Sequence, residues 1–216
     1  MTKDEGRRTK DDGRRTEDEG RMEMTNEKII DSPQFSRHPS PVTRHPSLVL
    51  TGFMGTGKSS VGKIVARKLA REFVDMDAAM EAREGMSVSE IFAAKGEKYF
   101  RARETELCRE LGARENLVIA TGGGALVRVE NRAYFADAVV ICLEASVDEI
   151  VARLRGGDKR PLLANGALRE RVLALLNERR DAYAQIKWRV DTNDKTVQDV
   201  AAQVIALYER VTNEKD

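Results

Sequence analysis

Gly52-Phe-Met-Gly-Thr-Gly-Lys58 and the Ser59 that follows carry the spacing Gly-x-x-x-x-Gly-Lys-Ser. Glycines spaced in this way let successive backbone N–H groups turn inward around phosphate oxygens. Lys58 then reaches the β- and γ-phosphates of a nucleoside triphosphate, and the Ser59 hydroxyl can ligate Mg²⁺. The chemistry is phosphoryl binding and transfer. A glycine-rich turn with an accidental lysine is the alternative, and the flanking residues decide against it. Leu48-Val-Leu50 reads as a short buried strand, and Val61, Ile64, Val65 and Leu69 recur at helical spacing across 60–70. Strand, motif and helix together form a P-loop, with the helix N-terminus adding a favourable dipole for anions.

Three further groups of residues could take part. Asp75 and Asp77 end an apolar stretch, Glu72 to Asp77, that reads as a second strand. The pair suits two roles, one carboxylate toward metal and water and one toward an acceptor hydroxyl, or else it is a turn-forming Asp-x-Asp. Gly122-Gly-Gly124 follows directly on the apolar run Leu117 to Thr121. Arg155-Gly-Gly-Asp-Lys-Arg160 has the composition of a lid, with glycines to hinge and arginines to cover phosphates, or of a solvated charged loop. Arg101 and Arg179 lie in helical stretches rich in other charges, where exposed ion pairs are the plain expectation.

These residues must be held by a scaffold, and its elements are readable. Capping boxes at Ser87-Val-Ser-Glu90 and Ser146-Val-Asp-Glu149 open helices. Glu97–Leu111, Leu168–Tyr183 and Val197–Val211 are helical, and Ala138–Leu143 and Trp188–Asp191 are further strands. Five apolar strands alternating with helices predict a three-layer α/β domain over 47–216, a parallel sheet with helices on both faces. Ligands of such sheets bind beyond the carboxyl ends of the strands, where the P-loop, the Asp pair and the glycine triplet all fall.

Residues 1–46 are different. Three seven-residue repeats fill positions 2–22, and two Arg-His-Pro-Ser echoes sit at 37–40 and 44–47. The repeats have no apolar a or d positions for a coiled coil, and a glycine in each weakens a helix, so a disordered tail and linker is expected. Ten basic and ten acidic residues cancel within 1–47, so the tail is no polybasic arm.

Composition narrows the remaining classes. The chain of 216 residues carries 37 basic and 36 acidic side chains, so no general pull toward nucleic acid or membrane is expected. No apolar run approaches the ~20 residues that span a bilayer, and the charged N-terminus lacks a signal peptide's apolar core. Cys108 and Cys142 read as buried free thiols in a reducing compartment. The expectation is a cytoplasmic monomer acting on small molecules.

Several motifs taken in order make the chain from about Ser47 resemble the shikimate kinases. They are Gly52 to Gly62, Asp75-Met-Asp77, Ile91-Phe92, Gly96-Glu-Lys-Tyr-Phe-Arg101-x-x-Glu104, Thr121-Gly-Gly-Gly124, Arg160-Pro-Leu-Leu163 and Arg179-x-x-x-Tyr183. The resemblance implies a P-loop NTPase fold and ATP-dependent phosphorylation of the 3-hydroxyl of shikimate, on the route to chorismate and the aromatic amino acids, with Mg²⁺. It implies that Gly55, Thr56, Gly57, Lys58, Ser59 and Ser60 wrap the ATP phosphates, with Ser59 and Asp75 serving the metal. Asp77 is matched to the acceptor hydroxyl as candidate base, and Arg160 to the lid arginine. Arg101 and Arg179 are matched to the shikimate carboxylate, Glu104 to the positioning of those arginines, and Gly122, Gly123 and Gly124 to the substrate ring. Arg153 falls where the family has an arginine over the adenine. Family members commonly read Arg-x-Pro-Leu-Tyr where this chain has Arg179-Arg-Asp-Ala-Tyr183, which leaves Arg179 and Arg180 both open as the gripping residue.

Planar bidentate donors suit a carboxylate better than lysine does, in keeping with paired arginines. Two rivals stand beside this reading. A gluconate-type P-loop kinase would not be expected to carry the Asp75/Asp77, glycine-triplet and Arg160-Pro set together. A non-catalytic regulator would be expected to have lost Lys58, Ser59, Asp75, Asp77 or Arg160, and all are present.

Overall fold

The computed structural model describes residues 45–155 and 168–214. The repeats, most of the linker and the Gly156–Pro161 loop with Arg160 lie outside the described residues. Five strands form one parallel sheet: β1 (Leu48–Thr51), β2 (Glu72–Asp75), β3 (Leu117–Ala120), β4 (Val139–Glu144) and β5 (Trp188–Asp191). They pair in the order β2-β3-β1-β4-β5. The expected parallel α/β sheet is thus what forms.

Strand alternation sorts the two faces. On β1, Leu48 and Leu50 pack with Val118 of β3 and Val139, Ile141 and Leu143 of β4. The helices α1 (Lys58–Lys68) and α7 (Val197–Asn213) cover that face. Val49, Leu117 and Ile119 point the other way, toward α2 (Met76–Glu84) and α3 (Val88–Gly112). Cys142, on β4, packs there too, under α5 (Val147–Arg155) and α6 (Leu168–Ala184). A strand buried on both sides has no polar positions to spare, hence the unbroken apolar run of Leu48 to Leu50.

The structure corrects several boundaries. The second strand stops at Asp75, whose Oδ1 accepts from the backbone N–H groups of Asp77 and Ala78 and so caps α2. Asp77 therefore lies in the first turn of a helix that the sequence reading did not separate from the strand. Had the strand continued, the two carboxylates would share one face. At Ser87 the expected capping box forms and opens a short helix that breaks at Gly96, beyond which the expected second helical stretch, Glu97–Leu111, ends one residue later at Gly112. Gly96 has φ 78° and ψ 168°, a conformation that is essentially glycine's alone. At Ser146 only half of the expected box forms: Glu149 N–H donates to Ser146 Oγ, while the Glu149 carboxylate is taken by Arg153. A 3₁₀ turn, Ala125–Val127, and a short α4, Val129–Ala133, follow the glycine triplet and carry no apolar periodicity that would reveal them.

The first described residues are already tied in. The Pro46 carbonyl accepts from Arg71 Nη1 at 3.1 Å and from Tyr208 Oη at 2.8 Å, which fixes the approach to β1.

Cys108 and Cys142 are both buried and unbridged, as expected. Burial pushes each thiol up to about 12. A thiol-specific chromogenic reagent at mildly alkaline pH should therefore titrate neither in the native protein and both after denaturation. A rapidly reacting thiol under native conditions would contradict the packing around α3 or β4.

Candidate functional site

The sheet order reverses at β1, which lies between β3 and β4, and the chain leaves β1 there into the P-loop. Such a switch point opens a crevice at the carboxyl end of the sheet. Gly52 takes φ 129°, and a Cβ there would run into the Leu143 carbonyl oxygen, so the turn hugs β4 in a way only glycine permits. Thr56 Oγ1 donates to the Phe53 carbonyl at 2.8 Å and closes the turn internally. Lys58 is nearly buried and donates from Nζ to the carbonyls of Gly52 and Phe53, each at 2.9 Å. Its ammonium is thus held across the mouth of the turn.

Two clefts meet here. One, of about 460 Å³, brings together all the residues expected to hold a nucleotide within the described chain: Gly55, Thr56, Gly57, Lys58, Ser59, Ser60 and Arg153. The other, of about 690 Å³, gathers Asp75, Asp77, Arg101, Glu104, Gly122, Gly123, Gly124 and Arg179. Met54, Ser59, Asp77 and Gly123 line both. A phosphoryl donor in the first would therefore adjoin an acceptor in the second across a wall of four residues.

The charged side chains of the larger cleft interlock. Glu104 is 2 % exposed and accepts from Arg101 Nη1 at 2.8 Å. Burial pushes the Glu104 carboxyl above its usual range; the Arg101 charge opposes this, and the charge of Asp77 adds to it. Arg101 is also held by Glu97, which accepts from its Nε and Nη2. The sequence expectation of an exposed ion pair thus fails in part for Arg101, which pairs with exposed Glu97 but also works inward on Glu104.

It fails more plainly for Arg179, 5 % exposed, whose Nη1 donates to the Gly123 carbonyl at 3.3 Å. Arg180 is exposed and donates to Asn177. Of the two candidates, Arg179 is therefore the one in the cleft. One helical turn on, the Tyr183 hydroxyl donates to the same Gly123 carbonyl, and burial raises its pKa to about 12.

Room explains the glycines. A Cβ on Gly122 would lie 2.9 Å from Asp77 Oδ1 and 3.0 Å from Glu104 Oε1. On Gly124 it would lie 2.7 Å from Arg101 Nη1. The triplet is the floor against which both carboxylates and a guanidinium are packed.

Asp75 serves two purposes at once. One oxygen caps α2; the other accepts from Ser59 Oγ at 2.5 Å. The turn-forming and ligand alternatives for this residue are thus not exclusive. A hydroxyl and a carboxylate side by side are hard oxygen donors and fit Mg²⁺, which commonly takes one or two protein ligands with water and phosphate completing the shell. Among the described residues no group of three or more His, Cys, Asp or Glu could enclose a metal on its own.

Glu149, Thr192 and Lys195 also line the smaller cleft, and sequence reasoning passed over them. The available signal was position alone: Thr192 directly follows a strand, at the ligand-binding edge of the sheet.

A family model described as shikimate kinase matches residues 54–209. The chain belongs to the shikimate kinase family. A shikimate kinase of Geobacter metallireducens is 45 % identical over 164 residues, covering 76 % of this chain and 92 % of that protein. One from Thermodesulfovibrio yellowstonii is 44 % identical over 170 residues, with 98 % of its length covered. Among solved structures, a shikimate kinase from Acinetobacter baumannii in complex with shikimate aligns with a TM-score of 0.74 at 33 % identity, covering 80 % of this chain and 96 % of that one. A gluconokinase from Sinorhizobium meliloti, at 16 % identity and a TM-score of 0.54, shares the fold alone. The gluconate-type rival thus gains only architecture, while family membership rests on identity along most of the chain.

Gly122→Ala should lower stability by ~1–3 kcal/mol, the usual cost of overfilling a packed site. Equilibrium urea unfolding measures it. A loss below ~0.5 kcal/mol, the ordinary range for a harmless change, would mean the two carboxylates have room to withdraw.

Proposed function

We propose that this chain transfers the γ-phosphoryl group of ATP to the 3-hydroxyl of shikimate, giving shikimate 3-phosphate and ADP. The observation that carries the reading is the wall shared by the two clefts, with two inward arginines on the acceptor side. The P-loop N–H groups and Lys58 hold the triphosphate, and Lys58 follows the charge that spreads over the γ-phosphoryl oxygens. Ser59 and Asp75 would hold Mg²⁺, which would supply charge neutralisation at the phosphates. Arg101 and Arg179 take the shikimate carboxylate, Glu104 fixing the angle of Arg101, and Gly122 to Gly124 leave the ring room.

Asp77 faces the acceptor hydroxyl. A secondary alcohol is far too weak an acid to ionise beforehand, so Asp77 orients it and receives its proton late. The acceptor oxygen bonds to phosphorus as the bond to the β-phosphate oxygen breaks, with ADP as leaving group. Arg160, outside the described residues, is the proposed lid cation. The enzyme is proposed to act as a cytoplasmic monomer, without nucleic acid or membrane partners, with 1–46 as a tail outside the catalytic unit.

Coupled ADP release measured with shikimate, quinate and gluconate tests the reading. Shikimate should be preferred by orders of magnitude, and equal turnover with gluconate would overturn it. Lys58→Met should lower kcat at least a hundredfold with the unfolding transition intact, since it removes transition-state stabilisation; near-normal turnover would rule out the mechanism.

Arg179→Ala should weaken shikimate by ~2–5 kcal/mol, the scale for losing one partner of a desolvated charge pair, and ATP far less. Arg180→Ala should change neither beyond about twofold, as for most exposed substitutions. Calorimetric titration of each variant reads both ligands, and a reversal between the two arginines would move the grip by one residue.

A further inference from the structure

The peptide that joins Gly55 to Thr56 sits at the bend of the P-loop. Gly55 has φ 81° and no side chain, and on the other side of the peptide the Thr56 N–H makes only a long bond, 3.4 Å, to the Phe53 carbonyl to resist a flip. A flipped peptide would aim its carbonyl oxygen at the phosphates, where the turn needs N–H groups. The Gly55 carbonyl is held outward by Arg153 Nη1, at 3.2 Å.

Arg153 is itself fully engaged. Nη1 also donates to Thr192 Oγ1 at 3.0 Å, and Nη2 to the Thr192 carbonyl at 2.8 Å. Nε and Nη2 both meet Glu149 Oε1 at 2.8 Å, one turn back on α5. Four hydrogen bonds and one further ion-pair contact thus hold the five-donor guanidinium. The anchor is firm as well. Thr192 is 2 % exposed, and its N–H and Oγ1 donate to the Glu144 carbonyl at 2.8 and 2.9 Å. One planar fork therefore ties the P-loop bend to the ends of β4 and β5, a geometry that a lysine ammonium cannot copy.

We propose that Arg153 is a positioning residue that locks the Gly55–Thr56 peptide in its phosphate-binding orientation, with Glu149 and Thr192 as its mounts. The inference rests on the reading of this turn as a triphosphate cradle and goes beyond any contact of Arg153 with the base. The edge of the guanidinium acts on the P-loop, whatever its face does.

A ligand with phosphates and no base separates the two roles. Mg²⁺ with inorganic tripolyphosphate, ATP, and adenosine are titrated calorimetrically into the full-length wild type and into Arg153→Met, Arg153→Lys and Thr192→Val. For Arg153→Met, tripolyphosphate and ATP should weaken together by about tenfold, the scale of a hydrogen bond to a charged group. Thr192→Val, which removes one mount and leaves the guanidinium in place, should weaken both by about threefold, and Arg153→Lys should not restore wild-type affinity. Thermal unfolding identifies any variant that fails to fold, and Thr192→Val then decides.

Unchanged tripolyphosphate affinity alongside weakened ATP would assign the arginine to the base alone and overturn the proposal. Full rescue by lysine would also overturn it, by reducing the effect to charge. So would a wild type that does not take tripolyphosphate, because a locked cradle must accept phosphates unaided. No acceptor enters these titrations, so an error in the proposed substrate leaves their outcome untouched.

Discussion

Glu104 is a carboxylate with almost no access to water, and much of the acceptor side follows from that one placement. Removing an ion from solvent costs several kcal/mol unless it is closely paired. The pairing comes from Arg101, three residues earlier on the same helix, so both charges are delivered by one rigid element. Arg101 in turn lies 5.4 Å from the Phe100 ring centroid and 5.9 Å from that of Phe92, which lets a guanidinium stay in an apolar setting. With the pair fixed on α3, the opposite wall must yield. Gly122 and Gly124 are the yielding positions, because any side chain would displace an oxygen of Glu104 or Asp77, or a nitrogen of Arg101.

The sheet connects this charge cluster to the P-loop. β1 gives rise to the phosphate turn and β3 to the glycine triplet, and the two strands are direct neighbours in parallel register. Their carboxyl ends therefore open side by side, and the two clefts share a wall. From the far side α6 reaches over to the same point: Tyr183 and Arg179 both donate to the Gly123 carbonyl. That oxygen joins α6 to the turn that follows β3, two segments distant in the chain. A shift of α6 would be felt at once in the floor of the acceptor cleft.

Features with a strong local cause were legible in the sequence. The P-loop, the five strands and the Ser87 cap each rest on residues within a few positions of one another, and all form, the end of the second strand apart. What escaped depends on contacts between distant segments. Whether Arg179 or Arg180 faces inward is a matter of helix phase against β3, and the charged neighbours on α6 blur any apolar stripe. The end of β2 was misread because Asp75 reads equally well as a strand terminus and as a helix cap, and it is both. The half-formed box at Ser146 shows the same limit. Glu149 had a local partner available, but Arg153 offered a stronger, charge-assisted one.

Charge balance in the acceptor cleft bears on what the cleft can bind. Arg101 and Arg179 contribute two positive charges, against the carboxylates of Asp75, Asp77, Glu81 and Glu104, so the lining is acidic in sum. Glu104 sits deep and spends its charge on Arg101, while Asp77 lies at the wall shared with the phosphate side. In such a lining the two guanidiniums are the groups that could answer an anion. An acceptor that is a plain polyol would leave the guanidinium end unanswered. A ring acid of the proposed kind, with its carboxylate toward the arginines and a hydroxyl toward Asp77, would use both kinds of group. Its orientation would then be set before any phosphoryl group arrives, and the proximity needed for in-line transfer would come from fixed side chains on α2, α3 and α6.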